Sequence, residues 1–317
     1  MPTMKRPPLL LGAHMSIAGG LYRAVERARQ VGCDCVQIFT TPPRGWGLPA
    51  TTAAPAGASA ARQAAARATG EPRAEPLPVD AVRRFQETLG DLRVVAPISH
   101  TTYLINVASP DPELWEKSLA SLVAEVLRCG QLGVPNVVLH PGAAMTATEE
   151  AGLQRAVEGL REVERQTRGV PVRILLESTA GQGTQLGHRL EHLATLLDAL
   201  QDEQRFGVCL DTCHLFAAGY ALTKPADYRK TMKQVDELIG AAHVHAIHVN
   251  DSKQPLGSRR DRHDHIGRGL LGLDAFRNLV NDTRWARVPM YLETPEGKDG
   301  DEDWHAVNLR TLRELHD

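Results

Sequence analysis

Short runs of apolar and β-branched residues recur along the chain at 9–13, 35–39, 94–98, 137–139, 172–176, 206–210, 244–249 and 288–292. The stretches between them are longer, and their apolar positions repeat with the period of an amphipathic helix, as at 112–132, 148–166, 190–200 and 226–239. Strands that alternate with helices lie parallel, because each crossover helix returns the chain to the same end of the sheet. About eight such units in 317 residues suit a closed (β/α)8 barrel better than an open doubly wound sheet. The first run agrees with that choice. Gly12-Ala13-His14 leads into Ser16 and Gly19-Gly20, without the Gly-rich fingerprint of a dinucleotide- or phosphate-binding loop. The pattern predicts an α/β protein, a single TIM-barrel domain over residues 1–317.

One segment breaks the alternation. Residues 49–78, after the second predicted strand, are dominated by Ala, Pro, Gly, Thr and Arg with little apolar bulk. That composition predicts a mobile surface insertion, with at most a transient helix over 61–68. A formal net charge of -2 excludes a generally basic nucleic-acid coat, so a polyanion would have to be met by a local patch or by bound cations. No run approaches the length of a membrane helix, and the apolar residues after Lys5 and Arg6 are too few for a signal segment. The expectation is a cytoplasmic protein that does not engage a membrane. The five cysteines show no Cys-x-x-Cys spacing, which favours buried reduced thiols over disulfides or a thiolate zinc knuckle.

The residues that end the predicted strands carry the chemistry. Strand three runs into His100, strand four into His140 and strand five into Glu177. Strand six runs into Asp211, with His214 three residues on, strand seven into His248 and strand eight into Glu293. In a (β/α)8 barrel the C-terminal strand ends converge on one mouth. Burying so many carboxylates and imidazoles together is costly unless cations are present. Downstream of His248-Val249-Asn250-Asp251, a polar, arginine-rich loop adds Asp261 and His263, one residue apart. Five histidines and four carboxylates exceed what one zinc ion takes and suit two or three metals. Mixed imidazole and carboxylate ligation without thiolate suits zinc or manganese, and Cys213 reads as a packed thiol. Paired metals are a recurring solution for phosphate ester hydrolysis. The residues alone reach a multinuclear metallohydrolase acting on an unspecified ester.

Several motifs resemble endonuclease IV, a family of apurinic/apyrimidinic (AP) endonucleases in the xylose isomerase-like barrel superfamily. They are Gly12-Ala13-His14, Tyr103-Leu104-Ile105-Asn106, Val138-Leu139-His140-Pro141-Gly142, Leu176-Glu177 and Leu210-Asp211-Thr212-Cys213-His214. They continue with His248-Val249-Asn250-Asp251-Ser252-Lys253, Gly257-Ser258-Arg259, Asp261-Arg262-His263 and Leu292-Glu293-Thr294-Pro295. The resemblance implies a DNA repair hydrolase of base excision repair with three zinc ions, manganese being the substitute at one or more sites. It would cut double-stranded DNA 5′ to abasic sites, leaving a 3′-hydroxyl and a 5′-deoxyribose phosphate, and clear blocked 3′ ends as a phosphodiesterase and phosphatase. By the same resemblance His100, His140 and Glu177 hold the first metal. Glu177 bridges to the second, with Asp211, His248 and Glu293. His214, Asp261 and His263 hold the third, more deeply placed against the phosphate. Glu177 and Glu293 would be the catalytic carboxylates. Arg44, Tyr103 and Leu104 would fill the base stack, and Lys253, Arg259, Arg262 and Arg268 would meet phosphates. This chain has Pro42 where the family usually places an asparagine. The family also favours a monomer. Two other readings stay open: a sugar isomerase or epimerase on the same barrel, which would need one main metal, and a non-catalytic binder of damaged DNA with structural zinc.

Overall fold

The apolar runs form eight short strands that pair in parallel all the way round: β1 Leu11–His14, β2 Cys35–Ile38, β3 Val95–His100, β4 Asn136–Leu139, β5 Arg173–Glu177, β6 Phe206–Asp211, β7 Val244–His248 and β8 Met290–Leu292. The first and last strands close the ring, with Gly12 opposite Tyr291 on one side and Cys35 on the other. This computed structural model describes residues 8–42, 45–46 and 76–317; Arg44 and residues 49–75 of the expected insertion lie outside them. The predicted barrel is borne out.

Helices form where the apolar period and the end signals agree. Helix α1 spans Leu21–Gln30, α2 Val79–Leu92 and α3 Pro112–Leu132. At the start of α3 the Asp111 carboxylate accepts from Leu114 N at 3.0 Å and Pro112 takes a position that needs no amide hydrogen. Thr148 caps α4, Glu149–Gln166, in the same way through Ala151 N. Their apolar faces pack on the outside of the barrel in one extended core that includes Leu122, Val126, Leu160 and Val163. Close approach is strictest at Gly12, where a Cβ would lie 2.1 Å from the Cys35 carbonyl oxygen.

A second, separate apolar cluster fills the barrel lumen: Cys35, Ile98, Val138, Leu175, Cys209, Ala246 and Tyr291, one residue from each of seven strands. Strand side chains alternate between faces with a period of two. The residues two positions further along must therefore face the same lumen, one layer nearer the C-terminal mouth. They are Gln37, His100, His140, Glu177, Asp211, His248 and Glu293, and β1 adds His14 two positions beyond Gly12. Period-two geometry thus stacks a polar layer directly on an apolar floor.

Candidate metal centre

Glu177 sits at the middle of that polar layer, fully buried. Its Oε2 is 3.0 Å from His100 Nε2 and 2.9 Å from His140 Nε2. Its Oε1 faces the other way, 2.9 Å from His248 Nδ1 and 3.3 Å from His214 Nδ1. His248 Nδ1 is also 3.3 Å from Glu293 Oε2 and 3.9 Å from Asp211 Oδ2. Ligand atoms of His100, His140 and Glu177 lie within 4.8 Å of one another, and those of Glu177, Asp211, His248 and Glu293 do likewise. One carboxylate therefore joins two potential cation sites.

The remaining ligands arrive from outside the barrel strands. Asp211 ends β6 and caps the short helix Thr212–Ala218, its Oδ1 accepting from His214 N at 2.7 Å. That cap turns the His214 ring towards the mouth. Asp261 and His263 come from the loop after β7, which the Asp251 carboxylate folds back by accepting from the amides of Ser252, Gly267 and Leu271. The sequence reads Asp261-Arg262-His263 as plain loop, whereas His263–Asp264 pairs antiparallel with Asp251–Ser252. Asp261 then reaches His214 Nε2 at 3.1 Å and His263 Nε2 at 3.2 Å, and Asp211 Oδ2 is 3.7 Å from His263 Nε2. Asp211, His214 and His263 form a third ligand group within 4.8 Å. Within this part of the site His214 is 2% exposed and the Asp261 side chain 38%. The loop crosses over the mouth, so its carboxylate faces outward more than the strand-end ligands do. Cys213 lies near Asp261 and His263, but burial pushes its thiol up to about 12, away from the thiolate a metal needs.

Proton positions test whether cations fit. The Nδ1 atoms of His100, His214 and His263 donate to the carbonyl oxygens of Thr101, Ser178 and Glu293 at 2.7, 2.8 and 3.1 Å. A carbonyl only accepts, so in each neutral ring the lone pair is on Nε2, and each Nε2 points at carboxylate oxygen. Two acceptors face each other there, and only a proton or a cation can stand between them. The buried Nε2 atoms of His214 and His263 make no hydrogen bond. Anchoring one ring nitrogen on a carbonyl while presenting the other is the usual arrangement of a metal-ligating histidine. The residues present fit divalent cations.

Without cations the layer is strongly polarised. Burial works against charge on His100 and His263, yet the facing carboxylates hold both rings up at about 9. Burial also opposes ionisation of Glu177, but His140, His248 and His100 outweigh it and hold the carboxyl well below its ordinary range. Against the same effect of burial, His248 lowers Glu293 and His214 lowers Asp261.

Two members of the polar layer, His14 and Gln37, have no role in the sequence reading. Counting two residues on from the lumen-facing positions of β1 and β2 would have found them. Asn250 stands inside a quoted motif, and in the structure it joins two ligands. Its amide donates to Asp211 Oδ2 at 2.7 Å and its carbonyl accepts from Glu293 N at 2.7 Å. Of the expected DNA contacts, Tyr103 is 70% exposed beside Phe39 and His140, and Leu104 is 38% exposed next to it. Lys253, Arg259, Arg262 and Arg268 are all exposed on the loop that carries Asp261. Arg268 also lies over the Trp304 ring and 3.7 Å from Asp299.

Residues 25–315 match the family described as xylose isomerase-like TIM barrel. The chain is 44% identical to a probable endonuclease 4 of Chloroflexus aurantiacus, covering 96% of this chain and 97% of the relative. It is 41% identical to a probable endonuclease 4 of Trichlorobacter lovleyi, over 96% and 99% of the two chains. The crystal structure of endonuclease IV from Thermus thermophilus superposes with a TM-score of 0.73, at 35% identity and 98% coverage of both chains. The chain belongs to the endonuclease IV family. Endonuclease IV membership makes it a nuclease-type hydrolase, and the polar mouth of its barrel gathers His, Asp and Glu groups that could hold metal ions. The single-metal isomerase reading leaves His214, Asp261 and His263 without work, yet the structure gathers all of them with Asp211. Among the described residues no helix is long and apolar enough to cross a membrane.

Proposed function

We propose that this DNA repair endonuclease is zinc-dependent and cuts double-stranded DNA on the 5′ side of abasic sites, leaving a 3′-hydroxyl and a 5′-deoxyribose phosphate. We propose further that it acts as a monomer and clears blocked 3′ ends by phosphodiester and phosphomonoester hydrolysis at the same mouth. The observation that carries this reading is the set of imidazole nitrogens aimed at carboxylate oxygens around Glu177, while the opposite ring nitrogens of His100 and His214 donate their hydrogens to backbone carbonyls. His100, His140 and Glu177 would hold one cation; Glu177, Asp211, His248 and Glu293 a second; His214, Asp261 and His263 a third, Asp211 standing close by. Zinc suits the mixed nitrogen and oxygen donors, with manganese the substitute at one or more sites. When bound, such cations polarise a phosphoryl oxygen and make water nucleophilic near neutral pH.

The protein's own groups supply orientation and proton handling. Glu177, buried and contacted on both oxygens, fixes the spacing between the ligand groups. Glu293 is 13% exposed and lies at the edge of the layer, where its carboxylate can hold the proton of an attacking water. Tyr103 and Leu104 are exposed beside the mouth, free to enter a base stack, a role that the family resemblance extends to Arg44. Lys253, Arg259, Arg262 and Arg268 supply positive charge for the flanking phosphates. A site whose base is already missing costs least to extrude into such a pocket.

The deciding experiment is incision of a duplex carrying one abasic-site analogue, with metal content determined on the same preparation. Cleavage on the 5′ side with about three metals per chain supports the proposal. One metal per chain and no cleavage after zinc or manganese addition overturns it. Glu293→Gln should slow single-turnover incision by about 100-fold or more while abasic-DNA binding persists. Unchanged incision by that variant removes Glu293 from the reaction.

A further inference from the structure

Gln37 is a buried amide in the middle of a barrel strand, facing the ligand layer, and nothing in the reaction above uses it. Its amide nitrogen lies 2.5 Å from Glu293 Oε1 and its amide oxygen 2.8 Å from His248 Nε2. A carboxylate only accepts, so the end facing Glu293 is the NH2 group, and the carbonyl end must face His248. That carbonyl in turn only accepts, so His248 Nε2 carries a hydrogen. The lone pair of the ring is then on Nδ1, the nitrogen that faces Glu177, Glu293 and Asp211. The same NH2 group is 2.9 Å from His14 Nδ1, which places the hydrogen of that ring on Nε2. One amide orientation fixes the hydrogens of two imidazoles.

We propose that Gln37 is a positioning residue of the metal centre: it selects the nitrogen that His248 presents to the cation and holds Glu293 in register with it. The inference rests on the metal reading given under the proposed function. The other strand-held histidine with a defined anchor, His100, uses a backbone carbonyl of its own loop for this purpose. His248 is presented through the opposite nitrogen and has Gln37 instead, from a strand three places round the barrel. A side chain that only filled space there would be replaced without consequence by leucine, which has a similar volume and needs no partners. A side chain that sets the ring would not, because removal leaves the His248 N–H buried and unpaired and frees the Glu293 carboxylate.

The test uses the full zinc-loaded chain, as wild type, Gln37→Leu and Gln37→Glu. Zinc retained per chain is followed against a competing chelator, and long-range 1H–15N spectra of the histidine rings report which nitrogen binds metal and which carries hydrogen. In the wild type His248 should bind through Nδ1 and show a slowly exchanging Nε2–H. Gln37→Leu should lose one zinc ion about 10- to 100-fold more readily, keep the others, and show fast exchange at His248 Nε2. Gln37→Glu retains an acceptor for His248, so the Nε2–H signal should return, while zinc retention stays impaired because a second carboxylate then faces Glu293. Equal zinc retention and an unchanged His248 signal in Gln37→Leu overturn the proposal. So does a wild-type spectrum with metal on Nε2, which requires no variant to fold. A wild-type chain that takes up no zinc overturns the metal reading itself, and this inference with it.

Discussion

Asn250→Ala should damage both stability and metal retention, and the size of the loss can be worked from two bonds. The Asn250 side chain is fully buried, donating to Asp211 Oδ2 at 2.7 Å and accepting from Glu293 N at 2.7 Å. The first bond is charge-assisted and worth roughly 1.5–3 kcal/mol, and stranding the buried Glu293 amide costs roughly 1–3 kcal/mol more. Together they give about 2.5–6 kcal/mol. With an unfolding entropy of roughly 2.1 cal/mol/K per residue over 317 residues, that corresponds to a fall of about 4–9 °C in the melting temperature. The measurement is thermal unfolding of the metal-free protein, followed by zinc retention against a chelator. Asn250→Asp refines it. This variant keeps the acceptor for Glu293 N but sets a second carboxylate against Asp211, so it should be the weaker of the two without metal and recover part of the difference with zinc. A loss under about 1 kcal/mol with zinc retention unchanged would refute the reasoning, because it would mean that water replaces the amide without cost.

Other consequences are simpler to read. Gly12→Ala should yield little folded protein, because the added Cβ meets the Cys35 backbone at 2.1 Å inside the β1–β2 pairing; soluble, cooperatively melting protein would contradict the assigned close approach. Metal binding should release protons at pH 7, since against burial the carboxylates hold His100 and His263 up at about 9, from 6.5. The stabilisation these protons give the metal-free fold is complete below the unfolded value and is lost as pH rises through about 9, while zinc affinity climbs over the same interval. Calorimetry in buffers of different ionisation heat measures this release, and a buffer-independent heat would be the contrary result. Tyr103→Ala should leave stability within about 0.5 kcal/mol, because the ring is 70% exposed, yet weaken abasic-DNA binding by roughly 1–3 kcal/mol. Gel-shift titration beside a thermal melt checks both halves.

Much of the barrel was legible from periodicity. The helical stretches read at 112–132 and 190–200 are the helices Pro112–Leu132 and Leu190–Leu200; Asp111 caps the first, while the second begins after Arg189 without a side-chain cap and follows its apolar period. The loop after β7 was read less well. Its two-residue pairing of His263–Asp264 with Asp251–Ser252 depends on the Asp251 carboxylate gathering amides from as far as Leu271, and local pattern carries no trace of such a contact. For the same reason the exposure of Asp261 is not legible locally, since it follows from where that loop crosses the mouth.

The sequence by itself determined the strand and helix alternation, the apolar floor of the lumen and the residue types standing two positions above it, because a period of two is a local property of extended chain. Only the tertiary structure decided which nitrogen of each imidazole is turned inward. That choice depends on the partner of the opposite nitrogen: Thr101, Ser178 and Glu293 carbonyls for three rings, and the amide of Gln37 for His248. Gln37 and His248 are 211 residues apart in the chain and 2.8 Å apart in the barrel. A hydrogen position set across that distance in sequence exists only once the ring of strands has closed.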